Sequence, residues 1–310
     1  MDKTMCEICA MHFETDIEFH RHLRKHKITQ TEYYQKFYPR YDRFDHSIIK
    51  FKSKEYYFNT EFNNRANLKL WIESVTPELA KGYIKTYLRN RKDNKGMVYA
   101  PTQIELRSLM VPGMKYIISK IAPYGNYNLF CNELGFLTRF KSTILNKNWF
   151  EDVSKKVIFT DSREQTPLKF NNTTRKEGLS FGDYRMSGSD VYIERKSLGD
   201  CWGTLSGGYE RFEREIIRAK EANAYLIILI ESAFGNLEKF PSQKQVYGKI
   251  KLPIEFIYHN IRILLQKYQH IQFLFVNGRD DASRIVEKIF SAGEQVKNID
   301  LQFQYDSNLL

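Results

Sequence analysis

Four carboxylates and a lysine in the second half of the chain have the types and spacing to hold a hard cation. Asp161-Ser162-Arg163-Glu164 follows the β-branched and aromatic run Val157–Thr160, which reads as a buried strand. Gly182-Asp183 comes next, then ten residues, then Glu194-Arg195-Lys196-Ser197-Leu198-Gly199-Asp200. Asp190–Glu194 alternates polar and apolar, as a half-buried strand does. An Asp before one strand and a Glu-x-Lys at the end of the next can converge at one sheet edge. There Asp183 and Glu194 would hold Mg2+, or Mn2+, through oxygen. Such an ion activates water and stabilises charge on a scissile phosphate. Lys196 would orient or deprotonate that water, or neutralise the phosphate. The simpler alternative is a set of surface ion pairs on an α/β domain.

A second donor set lies at the other end of the chain. Cys6, Cys9, His22 and His26 are spaced Cys-x2-Cys-x12-His-x3-His. Two thiolates and two imidazoles satisfy tetrahedral Zn2+. The three-residue gap places both His on one helical face. Phe13 and Phe19 stand where a short ββα unit needs its apolar core. A segment this small folds only with its metal. Over the 21 residues from Cys6 to His26 it resembles a Cys2His2 zinc finger. Such a finger often reads DNA from the start and middle of its helix. Counted back from His22, those positions are Thr15, Glu18 and Arg21, and Arg favours guanine while Glu favours cytosine. Lone fingers also bind protein or RNA.

The charge says where a polyanion would be gripped. The 310 residues carry 48 Lys+Arg against 37 Asp+Glu, a net charge of +11. Residues 1–150 hold 25 basic and 15 acidic side chains, whereas residues 151–310 hold 23 and 22. The basic excess sits in the first half and suits nucleic acid. The second half would bring the chemistry. No apolar run approaches membrane-spanning length, and the N-terminus has no apolar signal core. Four Cys are too few for a disulfide framework in a chain this long. An intracellular protein is expected, in the cytoplasm of a bacterium or infected host cell, or in a eukaryotic nucleus.

The elements between these sites are coarser to read. Residues 27–44 are rich in Tyr and Arg/Lys, which suits phosphate contact and base stacking or an ordinary snorkelled surface. Thr29 or Thr31 could cap a short helix. Residues 63–91 read as helical with a break at Pro77. The run RKDNKG (91–96) reads as a linker. Gly203, Gly207 and Gly208 read as a loop between strand and helix, flexible enough to approach a phosphate backbone. Cys131 and Cys201 lack metal-ligand spacing and read as buried thiols.

Two resemblances organise the rest. Residues 100–140, with Pro-Thr opening a helix and Tyr124-Gly125-x-Tyr127-Asn128 before Leu134-Gly135-Phe136, resemble the homing-endonuclease-associated repeat, a small helical DNA-binding unit. Glu-x-Lys after a distant Asp resembles the restriction-endonuclease-like PD-(D/E)XK nucleases. Gly182-Asp183 with Glu194-Arg195-Lys196-x3-Asp200, and the upstream Asp161-x-Arg163-Glu164, resemble the XPF-type nucleases of that superfamily. A helix over 209–222 carrying Arg211, a strand at Tyr225–Glu231, a helix over 253–269 and a strand at Ile271–Val276 fit as well.

That resemblance implies a metal-dependent endonuclease on duplex or branched DNA. Asp183 and Glu194 become metal ligands, Asp161 and Glu164 further acidic members of the site, and Lys196 the catalytic lysine. Arg163, Arg195 and Asp200 support it, and Arg211 contacts phosphate. Glu215 stands where many relatives carry Gln. The tandem helix-hairpin-helix module of fork- and flap-cutting dimers is not seen before Leu310, so that preference does not transfer. The expected architecture is a zinc finger (1–30), a basic, mainly helical DNA-binding region (31–150) and an α/β restriction-endonuclease-like domain (151–310). In the last, a central mixed sheet is flanked by helices, and a homodimer could form through it. The alternatives are a DNA-binding or scaffold protein with an inactive nuclease fold, or an RNA-acting nuclease. The combination resembles the mosaic nucleases of phages and mobile elements.

Overall fold

The computed structural model describes residues 4–243 and 252–310. Its backbone clusters into two compact units, Met1–Gly82 with Met110–Pro112, and Tyr83–Leu109 with Gly113–Leu310.

In the first unit, strands β1 (Thr4–Met5) and β2 (His12–Phe13) pair antiparallel. Helix α1 (Asp16–His22) follows, and a 3-10 turn, Leu23–His26, extends it. Thr15 caps α1 in a capping box with Glu18, which satisfies donors that a helix start leaves open. Thr29 caps α2 (Gln30–Phe37) the same way, through Glu32. Helices α3 (Lys54–Asn59) and α4 (Arg65–Ser74) come next. Cys6, Phe19 and Leu23 share a core with Tyr33, Tyr34, Ile49 and Tyr57. This corrects one reading of the Tyr-rich segment. Tyr33 and Tyr34 are core side chains, at 0% and 2% exposure, and neither ring is free to stack on bases, whereas Tyr41 of the same segment is exposed. They extend the apolar body that 21 residues cannot build alone.

Helix α5 (Pro77–Lys95) starts at the proline that separates it from α4, since proline at the first helical turn loses no hydrogen bond. The run expected to be a linker is helical as far as Lys95, because Lys, Asn and Asp continue a helix until Gly96 ends it at φ +69°.

In the second unit, α6 (Gln103–Ser108), α7 (Met114–Lys120) and α8 (Tyr127–Glu133) precede the sheet. Thr102 caps α6, as Pro-Thr suggested. These helices are tied to the elements around the sheet. The Gln266 side chain accepts from Val98 N and Tyr99 N, each at 2.9 Å, and Asp300 accepts from Gln103 N at 2.7 Å.

The remaining elements are β3 (Ile158–Asp161), β4 (Thr174–Glu177), β5 (Tyr184–Met186), β6 (Val191–Lys196), α9 (Leu198–Thr204), α10 (Tyr209–Glu221), β7 (Tyr225–Ile230), α11 (Asn236–Gln243), α12 (Ile254–Lys267), β8 (Ile271–Phe275), α13 (Arg279–Ala292) and α14 (Leu301–Asp306). The sheet order is β4-β3-β5-β6-β7-β8. β5 runs antiparallel to β3 and β6, while β6, β7 and β8 run parallel. β7 is buried throughout, as a parallel strand covered on both faces must be. Its Tyr225, Ile227 and Leu229 face one core with α13. Leu226, Ile228 and Ile230 face the other, with α10 and α12. The fold is therefore a mixed six-stranded sheet flanked by helices.

Where the glycine run suggested a loop, the chain forms α9 through Gly203, and Gly208 sits as N-cap of α10. The Ser197 cap outweighs the helix cost of glycine there. Cys131 and Cys201 are buried, and burial pushes both thiols up to about 12. Among the described residues no helix is long and apolar enough to cross a membrane.

Candidate active site

Backbone pairing brings the acidic positions together. Asp161 N donates to Asp183 O at 2.8 Å, and Asp183 N donates to Ile193 O at 2.7 Å. The turn into β5 needs Gly182. Its φ is +68°, and a Cβ there would stand 3.2 Å from Ile193 O and 3.3 Å from Tyr192 Cβ. A larger residue would push Asp183 out of register. The resulting cleft, about 610 Å3, is lined by Asp161, Arg163, Glu164, Asp183, Glu194 and Lys196, and from α10 by Arg211, Glu215 and Arg218.

Two carboxylates keep an oxygen free. Asp183 Oδ2 accepts from Arg195 N at 2.7 Å. Glu194 Oε1 accepts from Lys196 Nζ at 2.7 Å. The second oxygen of each has no hydrogen-bond partner among the described residues. Burial pushes Asp183 up to about 6 and Glu194 to about 8; the Glu164 charge adds to the first, and the Asp183 and Glu215 charges add to the second. For Lys196, burial favours the neutral amine, but the Glu194, Glu215 and Asp183 charges outweigh it and keep the ammonium. Of the roles offered for Lys196, the cationic ones fit this setting and the base does not.

Buried, under-compensated carboxylates with free oxygens fit a hard divalent ion. Binding must displace the protons that burial favours. Ion affinity should therefore rise from pH 6 to pH 8.5, with proton release shrinking over that range. Calorimetry in buffers of different ionisation enthalpy measures both.

Asp161 and Glu164 have other work. The Asp161 carboxylate is held by the Arg163 backbone N at 2.8 Å and by its guanidinium, which also reaches Leu179 O at 2.6 Å. That hydrogen-bonded guanidinium keeps Asp161 below the usual carboxylate range. Glu164 pairs with Arg195 at 3.1 Å, and Arg195 reaches Glu231 at 3.0 Å. These three side chains are 10–12% exposed. Arg279 adds bonds to Glu231 and to the carbonyls of Thr166 and Pro167. The network pins the 161–167 loop to the ends of β6 and β7. Arg195→Met would leave buried Glu164 without its ion-pair partner and Glu231 with Arg279 alone. It should cost about 3–5 kcal/mol in a denaturant melt.

Asp200 lies outside the cleft lining. Its carboxylate accepts from the Ser197 hydroxyl at 2.6 Å, and its N–H donates to that hydroxyl at 3.1 Å. It supports the start of α9 just after Lys196. From sequence Glu215 stands out only as a departure from the family pattern, Glu231 only as a strand end, and Arg218 and Arg279 not at all. Arg211, Glu215 and Arg218 lie at i, i+4 and i+7, one face of α10. Glu215 Oε1 accepts from Gly182 N at 3.3 Å.

The Cys and His donors also converge. Cys9 Sγ is 3.3 Å from His22 Nε2, and His26 Nε2 is 3.0 Å from the same atom. All four donor atoms lie within 4.8 Å of one another. A tetrahedral ion with bonds of 2.0–2.3 Å spaces its ligands by roughly 3.3–3.8 Å, so this set fits zinc. Among the described residues it is the one such group of three or more. The carboxylates of the cleft do not form a third-ligand cluster that tight. On α1, the Thr15 and Glu18 side chains accept from each other's backbone N–H, so reading bases would break their cap. Arg21 is exposed.

No family model matches the chain, and no curated protein matches it. Among solved structures it is similar to XPF from Aeropyrum pernix, at 18% identity and a TM-score of 0.32, over 42% of this chain and 61% of that one. XPF from Aeropyrum pernix in complex with DNA gives 18%, 0.33, 43% and 62%. The chain thus spans about three fifths of the length of those structures.

Proposed function

We propose that the protein is a divalent-metal-dependent endonuclease that hydrolyses DNA phosphodiesters in the cleft of its second unit. The observation that carries this is that Asp183 and Glu194 line one cleft, each with one free oxygen, beside a lysine kept cationic. A hard cation on Asp183 and Glu194 would supply Lewis-acid charge beside the scissile phosphate. Lys196 then holds the attacking water or neutralises charge growing on the phosphate oxygens. Arg211 and Arg218 grip flanking phosphates. Arg163, Arg195 and Glu231 hold the acidic loop in place. Residues 1–30 are read as a structural zinc module, residues 31–150 as the basic region that docks on DNA, and residues 151–310 as a restriction-endonuclease-like cutting domain of XPF type.

The test is incubation with Mg2+ and labelled duplex, flap, fork and single-stranded DNA, with matched RNA. Cleavage of DNA that chelation stops supports the reading. Cleavage of RNA alone, or of nothing, overturns it.

A further inference from the structure

We propose that Tyr124 stacks on an unpaired base, giving the protein a single-strand contact outside the cleft. The inference rests on the nuclease reading for its ligand class. Tyr124 is 100% exposed. Single exposed apolar side chains are ordinary, but this one is also left-handed, at φ 53° and ψ 25°. A bulky side chain in that region strains the backbone. The fold offers nothing in return. Among the described residues the ring touches no other ring or cation, and the hydroxyl makes no hydrogen bond. The turn Pro123–Gly125 joins α7 to α8 and pushes the ring outward. Glycine would fit position 124 without strain, and Gly125 beside it takes φ +67°.

Charge indicates the partner. No acidic residue lies between Glu105 and Glu133. Lys115 and Lys120, on the helix leading into the turn, are exposed and form no ion pair among the described residues. An aromatic face with exposed ammonium groups on the helix before it suits a strand whose bases are out of the duplex. A ring held on a turn is already placed for stacking and loses little entropy on contact.

The test uses the full-length protein, Ca2+ in place of Mg2+, and a fluorescein-labelled 20-mer single strand. Tyr124→Ala and Tyr124→Gly should each weaken binding about ten-fold or more. Tyr124→Gly should meanwhile melt at a higher temperature than the wild type, which separates lost contact from lost folding. Tyr124→Trp should keep the affinity, and its added fluorescence should be quenched by the strand. Unchanged affinity of Tyr124→Ala overturns the proposal, as does an equal loss on blunt duplex, which would mean insertion rather than stacking on a free base. If the wild type cleaves DNA while Tyr124→Ala binds single strands normally, stacking fails and the nuclease reading stands. If affinity falls as expected but nothing is cleaved, the contact stands and the nuclease reading fails.

Discussion

Glu194→Gln should lower the cleavage rate by about 10^3-fold or more and make the metal-free protein more stable. The two effects have one cause. Glutamine keeps the shape of Glu194 but not its charge, so a divalent ion loses a ligand and the phosphate loses its Lewis acid, a contribution of several kcal/mol. Without metal, that charge is a burden. The folded-state positions of Asp183 and Glu194 lie near 6 and 8, raised by burial first and then by neighbouring carboxylates, Glu164 for Asp183 and Asp183 with Glu215 for Glu194. A carboxyl group whose folded pKa is raised favours folding while protonated and loses that advantage as pH climbs through the folded value. Metal-free wild type should therefore lose stability between about pH 4 and pH 8. Glu194→Gln should flatten that loss, and Asp183→Asn should flatten its lower part. Added Mg2+ should stabilise the wild type and leave Glu194→Gln unmoved. Denaturant melts at pH 5, 7 and 8.5, with and without Mg2+, check all of this beside the rates.

Removing zinc should unfold the first unit. Structural zinc contributes about 10–16 kcal/mol in finger peptides near neutral pH, more than most domains have to spare. Cys6 lies at 0% exposure in the same core as Phe19, Leu23, Tyr33, Tyr34 and Tyr57. Losing the metal therefore reaches beyond the 21 residues of the finger. Cys6→Ser, or a strong chelator, should abolish one zinc per chain by elemental analysis and remove the cooperative melt of this unit. The cleft should survive, because its strands have their own core. A chain that keeps its full melt after zinc is stripped would show that the four donors are not structural.

Both donor sets were legible because each is fixed by short-range spacing. Cys-x2-Cys and His-x3-His need only a turn and a helical run. Glu194 and Lys196 share one strand, and the alternation around them was readable. The strand before Asp161 was placed one residue early, because the last position of β3 is Asp161 itself, a polar residue at an apolar strand's end.

Glu231 and Arg279 were not legible. Their role depends on parallel register, Lys196 against Ile230, which brings Glu231 N to Lys196 O at 3.0 Å across 35 residues of sequence. A usable signal existed: Glu231 directly follows a buried apolar strand, where α/β sheets gather polar function. The aromatic segment misled for the opposite reason. Tyrosine suits both a nucleic-acid surface and a core, and only packing against the finger decided for Tyr33 and Tyr34.

The most direct measurement is cleavage of covalently closed circular DNA by wild type and Glu194→Gln, side by side in Mg2+ and in EDTA. Internal cutting by the wild type in Mg2+ alone is the predicted result. Equal cutting by Glu194→Gln, or an intact circle in every lane, would contradict the account.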